Sequence, residues 1–415
     1  MAEKSEDRII FTKKMKQEYK ILLPMMLPIH FNIINKLLLL EGYQTELLDT
    51  VGNDIVQEGL KGVHNDTCYP ALLVIGQLIN AVKSGKYDMN KVALLITQTG
   101  GGCRASNYIH LLRKALKHNN LGHIPVISLN LSGLEKNPGF KLKLPLIIKM
   151  VYGVAYGDML MWLSNQTRPY EINKGESDLL VKKWEHLLTE EFINPINLRM
   201  NKVVDNLSLI VKEFAEIKLS GEKKKKVGIV GEIYIKYSPL GNNNLEDFLL
   251  NENCEVIVPG LMDFLIFKAD NRMVDIEIFG GKRIKYKIIK WLEDFFIKMQ
   301  NQMIKAIKEN SSFRTVAQFK TLKSLVKDYV GHGNRMGEGW LLTGEMLELI
   351  NMGINNIICT QPFSCLPNHI VGKGMIRKIK DNNSDANIVA IDYDPGATKI
   401  NQENRIKLML ANAEE

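Results

Sequence analysis

Three cysteines, Cys68, Cys103 and Cys365, stand in sequence settings suited to chemistry. Cys103 closes the stretch Thr97-Gln98-Thr99-Gly100-Gly101-Gly102-Cys103, which leaves the apolar run Val92–Ile96 and enters a helical pattern at Asn107. Glycines admit close neighbours because no Cβ blocks approach. A cysteine at a helix start meets the positive end of the helix dipole, which favours thiolate. Cys68 lies in Asn65-Asp66-Thr67-Cys68-Tyr69-Pro70, and Cys365 in Gln361-Pro362-Phe363-Ser364-Cys365-Leu366-Pro367. Each is read as a loop position between an apolar run and a helix, beside Gly or Pro. Two chemistries compete at Gly100, Gly101 and Gly102: a phosphate-binding loop and a thiolate site for a metal cluster. Three thiolates can hold a [4Fe-4S] cube and leave one iron open as a Lewis acid. The phosphate reading lacks G-x-x-x-x-G-K-[ST] and G-x-G-x-x-G. Plain structural cysteines are the third reading. Cys254 and Cys359 read as small buried strand residues. His30 and His369, both near proline, read as loop residues with structural hydrogen bonds.

The elements that must position these residues alternate. Short apolar runs at 21–27, 46–48, 92–96 and 124–129 are separated by helical patterns at about 31–40, 70–84 and 107–118. Gly52 to Val63 reads as a loop-rich connection, and Asp66 or Thr67 as the cap of the helix from Pro70. Pro24 marks its run as an edge strand or as one that breaks early. Such alternation predicts βαβ units and a parallel sheet. Strand signals vanish between about 142 and 219, where three helical segments are expected. A second alternating pattern starts at Val227, with strands at 254–258, 356–360 and 388–392. Thr97-Gln98 and Thr360-Gln361 both leave a strand shortly before a cysteine. The carboxyl edge of an open α/β sheet is where ligands bind. The expected organisation is a first α/β domain over 1–141 with Cys68 and Cys103, a helical bridge over 142–222, and a second α/β domain over 223–415 with Cys365.

Composition sets bounds. The chain has 415 residues, 45% hydrophobic and 7% aromatic, with a formal net charge of +8. This is an ordinary globular balance with room for two or three domains. Lys223-Lys224-Lys225-Lys226 reads as a solvated loop, and no aromatic-interleaved basic patch suggests nucleic acid. No apolar run is read as long enough to span a bilayer. The amino terminus lacks the apolar core of a signal peptide. Five cysteines at irregular spacing do not form a secreted disulfide framework, so a cytoplasmic, reducing setting is expected.

Taken together, these motifs resemble the 2-hydroxyacyl-CoA dehydratase superfamily, most closely the C-terminal part of acyl-CoA dehydratase activase-related proteins. The resemblance rests on Leu23-Pro24 through Phe31, on Asn65 through Pro70, and on Thr97 through Tyr108. It continues in Gln361 through His369, Ile391 through Gly396, and Asn404 through Leu408. It implies two Rossmann-like parallel-sheet domains joined by a helical segment, with an Fe–S cluster between the domains. It implies Cys68, Cys103 and Cys365 as ligands of one [4Fe-4S] cluster per chain, with Gly100, Gly101 and Gly102 alongside. A double cubane would need about six cysteines. The implied system draws its electron from a separate ATP-hydrolysing activator, works with a second subunit or a second copy, and acts on an acyl-CoA thioester as a lyase. No ATP-binding activator domain is recognised in this chain, and neither nucleic acid nor membrane is an expected partner. The alternatives are a non-catalytic iron–sulfur electron-transfer or scaffold subunit, a double-cubane-type reductase of small molecules, and a metal-free relative.

Overall fold

The computed structural model describes residues 8–99, 101–130 and 135–413. The first part contains α1 (Lys13–Glu18), β1 (Lys20–Pro24), α2 (Pro28–Leu40), β2 (Gln44–Leu48), α3 (Asn53–Gly62), α4 (Tyr69–Lys83), β3 (Val92–Thr97), α5 (Tyr108–His118) and β4 (Val126–Leu129). Its four strands are all parallel, in the order β2-β1-β3-β4. The run Val92–Ile96 is buried throughout, as a parallel strand covered on both faces must be. Two expectations change here. Pro24 does not mark an edge strand: β1 is central, and Pro24 is its last residue. Pairing of β1 with β3 stops at Leu22, so the missing N–H of Pro24 interrupts no bond there. The segment read as a loop from Gly52 folds as α3, whose Ile55 and Val56 are buried and whose Gly59 packs against Leu72 of α4.

Three helices follow: α6 (Leu144–Thr167), α7 (Glu176–Glu191) and α8 (Met200–Ala215). Contrary to the sequence reading, α6 is long and apolar enough to cross a membrane by length and composition. Its most apolar stretch has a mean hydropathy of 1.4. In the fold 78% of that stretch is buried inside the protein, so α6 is a core helix, apolar all round because it is covered all round.

The remaining elements are β5 (Lys225–Gly231), α9 (Ile233–Tyr237), α10 (Pro239–Asn242), α11 (Leu245–Asn251), β6 (Cys254–Ile257), α12 (Leu261–Phe279), α13 (Arg283–Asn310), α14 (Phe319–Leu325), α15 (Leu341–Asn351), β7 (Asn356–Pro362), α16 (Ile376–Asn382), β8 (Asn387–Tyr393) and α17 (Lys399–Ala411). The second sheet is parallel in the order β6-β5-β7-β8, the topology of the first. The protein is therefore α/β, with two four-stranded parallel sheets of one Rossmann-like plan. The lysine run is not wholly solvated. Lys225 and Lys226 begin β5, and Lys225 Nζ donates to the Leu410 carbonyl at 2.9 Å.

One carboxylate ties the three parts together. Asp158, on α6, is buried. Its Oδ1 accepts from His30 Nε2 of α2 at 2.7 Å and from the Leu261 amide at 2.7 Å, and its Oδ2 accepts from the Met262 amide at 2.7 Å. The last two are free amides at the start of α12, so the carboxylate caps that helix. Two glycines permit the approach. A Cβ on Gly157 would lie 2.5 Å from His30 Cδ2, and one on Gly260 would lie 2.7 Å from Asp158 Oδ2. His30 is thus a helix residue, fully buried, rather than a loop residue. Asp158→Ala leaves three buried donors without their acceptor and should lower unfolding free energy by about 3 kcal/mol, read from the urea midpoint. Asp158→Asn, which keeps one acceptor oxygen, should cost less.

A second buried cluster joins α12 to α15. Asp263 accepts from Gln300 Nε2 at 2.6 Å, and Glu345 pairs with Lys236 at 2.7 Å. Burial and the Glu348 charge push the Asp263 carboxyl well above its ordinary range. Burial first, then Glu345, pushes Glu348 up. Carboxyls raised in the fold stabilise it fully below the unfolded-state pKa, and that contribution is lost as pH rises through the folded value. Stability should therefore fall between pH 5 and pH 8. Glu348→Gln should be more stable than the parent at pH 8 by about 1 kcal/mol or more, with the gap closing at pH 5, by urea titration at each pH. A parent that gains stability over this window refutes the assignment.

Candidate functional site

Each of the three singled-out cysteines stands at the start of a helical segment. Cys68 is the N-cap of α4, and Cys103 is the N-cap of a short turn, Arg104–Ser106, that leads into α5. Cys365 directly precedes the helical turns that begin at Leu366, and its carbonyl accepts the His369 amide at 3.1 Å. At the first two the backbone, not the sulfur, accepts the free amides: the Cys68 carbonyl accepts from Ala71 at 2.9 Å and Leu72 at 3.3 Å, and the Cys103 carbonyl from Ser106 at 3.2 Å. Asp66 and Thr67 are not the cap of α4, since Cys68 holds the N-cap position and its carbonyl accepts the amides of Ala71 and Leu72. Cys68 also differs from its reading as a loop between an apolar run and a helix. With α3 formed, it lies between two helices, whereas Cys103 follows β3 and Cys365 follows β7, the equivalent strands of the two sheets.

The three cysteine loops are pinned to one another. The Asp66 carbonyl accepts from Arg104 Nη1 at 2.6 Å and from Ser364 Oγ at 2.9 Å. The Tyr69 amide donates to the Phe363 carbonyl at 3.1 Å across the domains. Ser364 has φ +60°, an uncommon left-handed turn for a residue with a side chain, and it aims the loop toward Asp66. The carboxyl edges of the two sheets thus meet at a single cleft. Cys68 and Cys365 are buried and Cys103 is half-buried. The side chain of Tyr108, from α5, reaches Cys68 Sγ at 3.0 Å.

The second domain contributes further groups to this cleft. Glu232 follows β5 and caps α9, accepting the Ile235 amide at 2.9 Å. Glu338 accepts the Ile233 amide at 2.9 Å and follows Gly337, where a Cβ would lie 3.9 Å from Cys103 Sγ. Lys268 of α12 donates to the Gly337 carbonyl. Met336 faces Gly102, where a Cβ would lie 2.2 Å from its sulfur, while Gly101 faces open space and Gly100 lies outside the described residues. Sequence reading missed Glu232, Glu338 and Lys268. The signal for the loop was present, since Gly331, Gly333, Gly337 and Gly339 crowd one short stretch.

Electrostatics here oppose free thiolates. Burial pushes the Cys68, Cys103 and Cys365 thiols up, Cys103 to about 11, and the Glu232 and Glu338 charges push Cys103 and Cys365 further. Nearby backbone amides act in the opposite direction and are outweighed. A thiol held in this state is a poor nucleophile at neutral pH, and such sulfurs suit a ligand role, where a cation supplies the missing charge. Burial and the Glu338 charge likewise push Glu232 up, while burial pushes the Lys268 ammonium down. Among the described residues, no group of three or more His, Cys, Asp or Glu side chains is placed to hold a single metal ion. Cys254 and Cys359 are buried in strands, Cys359 with its Sγ 3.6 Å from Asn368 Oδ1 in the helical turn after Cys365, where His369 also lies. A polar cleft of about 940 Å³, lined by Lys223, Lys226, Arg314 and Asn356, opens at the amino ends of β5, β7 and β8. That is the edge opposite to the one where such sheets bind ligands.

In the metal-free protein Cys103 should react with a maleimide at pH 7 roughly a hundredfold more slowly than a cysteine with the ordinary pKa of 9.0, because its value is about 11. The rate should climb with pH up to that value, and mass mapping of the modified peptide checks it. Fast labelling of Cys103 at neutral pH would contradict this reading. No family model matches the chain, and no curated protein matches it.

Proposed function

We propose that the chain is the [4Fe-4S] component of a radical enzyme system of the 2-hydroxyacyl-CoA dehydratase type, with Cys68, Cys103 and Cys365 as ligands of one cluster per chain. The observation that carries this reading is the Asp66 carbonyl, which accepts from the residue after Cys103 and from the residue before Cys365 while standing two residues before Cys68. The donor set fits the group. Three sulfurs from three helix starts, two buried and one half-buried, with the Tyr108 hydroxyl against one of them, match thiolates whose charge a cluster neutralises. In a cube each thiolate binds its own iron, so the ligands need not converge on one ion.

When bound, such a cluster supplies a low-potential electron and an iron without a cysteine ligand, a Lewis-acid position for a thioester carbonyl oxygen. The chain's own residues set the conditions around it. Glu338 adds negative charge, which disfavours an extra electron and keeps the potential low, while Glu232, pushed up to about 8 by burial and the Glu338 charge, is largely protonated at neutral pH. Tyr108 donates to Cys68 Sγ, and Lys268 holds the Gly337 loop against the cleft. Met336, Phe363 and Leu366 leave exposed apolar surface at the rim, available to an acyl chain. Scattered lysines and arginines and the +8 net charge suit the coenzyme A phosphates. The electron comes from a separate ATP-hydrolysing activator in a reducing cytoplasm, and a second subunit or second copy completes the enzyme.

A second reading, a non-catalytic electron carrier or scaffold, is favoured by Glu232 and Glu338. A carboxylate beside the cysteines is a group that can close the fourth iron. Anaerobic purification should yield about four iron and four sulfide per chain, with a reduced-state EPR signal that Cys103→Ser abolishes or alters. Iron-free protein from anaerobic cells overturns both readings. If Glu232→Gln or Glu338→Gln shifts the EPR signal while acyl-CoA added to the parent leaves it unchanged, the carrier reading replaces the enzyme.

A further inference from the structure

From the folded body α12 and α13 form a two-helix hairpin with a Gly280-Gly281 turn, and its outer end is unpartnered. Ile284, Ile288 and Trp291 recur at i, i+4 and i+7, so they form one face of α13. They are 64%, 60% and 67% exposed, and Ile278 and Phe279 extend the patch at the end of α12. The core-facing Glu293 and Phe296 of α13 lie on a different face, and the stripe ends inward where Trp291 stacks on the partly buried Phe295 at 6.1 Å. The residue before each member of the stripe is a cation: Arg283, Lys287 and Lys290. Lys282 and Lys285 add two more, and no acidic residue occurs between Ile278 and Trp291. Of these cations only Lys290 has an ion-pair partner among the described residues, Glu293 and Asp294, both at 2.9 Å. An exposed apolar stripe with a cationic flank is not a core surface, and singly scattered exposed residues do not line up in this way.

The hairpin is continuous with the cysteine cleft. Arg335 pairs with Asp275 of α12 and lies 5.0 Å from the centre of the Phe279 ring. The next residues, Met336 and Gly337, face Gly102 and Cys103. Any molecule seated on the stripe therefore abuts the rim of the cleft.

We infer that this hairpin face is a docking site for an acidic amphipathic helix of a partner protein. Charge complementarity selects the partner. A second copy docked face to face sets the cationic flank against itself. An anionic bilayer meets Asp294 and Glu277, which border the two ends of the stripe, whereas a helix covers only the face it matches. The inference does not depend on a cluster being bound.

The tryptophans provide the readout. Trp162, Trp184 and Trp340 are buried, so Trp291 dominates the emission accessible to iodide. The full-length chain is titrated with an acidic amphipathic Leu/Glu helical peptide, its scrambled isomer, its Leu/Lys counterpart, and vesicles containing phosphatidylglycerol. The expected result is a blue shift and iodide shielding with the Leu/Glu helix alone, weakening with salt. Ile288→Glu, a surface change that should leave the urea midpoint in place, should weaken binding about tenfold or more. Cys103→Ser should bind like the parent, which separates failure of this site from failure of the cluster reading. Equal responses to the scrambled or lysine peptide overturn the proposal. So does shielding by vesicles without a response to the Leu/Glu helix, and so does a dimer in sedimentation that Ile288→Glu abolishes.

Discussion

The buried Asp158 carboxylate is the constraint on which the arrangement of the two sheets depends. Its three acceptor bonds go to α2 behind the first sheet and to α12 behind the second, while its own helix is the core of the bridge. A carboxylate buried this deeply is tolerated only when its lone pairs are filled. Here two free helix amides and an imidazole N–H fill them. The cost of breaking the set holds the carboxyl edges of both sheets toward one cleft. Gly157 and Gly260 are part of the same constraint, because any side chain there would displace the histidine or the carboxylate.

That cleft uses one local device three times. Cys68 and Cys103 take the place where serine, threonine or aspartate ordinarily caps a helix, and Cys365 directly precedes its helical turns, so all three stand at the amino ends of helical segments. Helix starts favour thiolate, yet burial and the neighbouring Glu232 and Glu338 win, and the thiols are held protonated. The balance works against nucleophilic attack at neutral pH and fits the ligand role proposed for these sulfurs. A nucleophile needs its thiolate at neutral pH without help, whereas a ligand gains it from the metal.

The repetition of the sheet order in the two halves gives the cleft its symmetry. Cys103 follows β3 and Cys365 follows β7, and each of these strands lies beside the first strand of its own sheet. Glu232, after β5, occupies the position that Met25, after Pro24, holds in the first half. Two copies of one plan therefore bring thiols from both halves and a carboxylate from the second to a shared edge, the crevice where open α/β sheets bind ligands.

Much of the strand content was legible from sequence, because a parallel strand buried on both faces is written as a short continuous apolar run, as in Val92–Ile96. The three cysteines were legible because Gly and Pro mark their loops. Helix α3 was hidden, since its short pattern depends on packing against α4. Capping of α4 by Cys68 instead of Asp66 or Thr67 was hidden too, because only the backbone path decides which residue meets the free amides. Glu232, Glu338 and Lys268 carry no local mark of their partners, which lie far away in the chain. By itself the sequence determined the α/β plan and which cysteines stand apart. Tertiary structure alone decided that the loops of Cys68, Cys103 and Cys365 meet at the Asp66 carbonyl. Hydrogen bonds across hundreds of residues depend on the packing of both sheets against α6, and no periodicity or spacing encodes that distance.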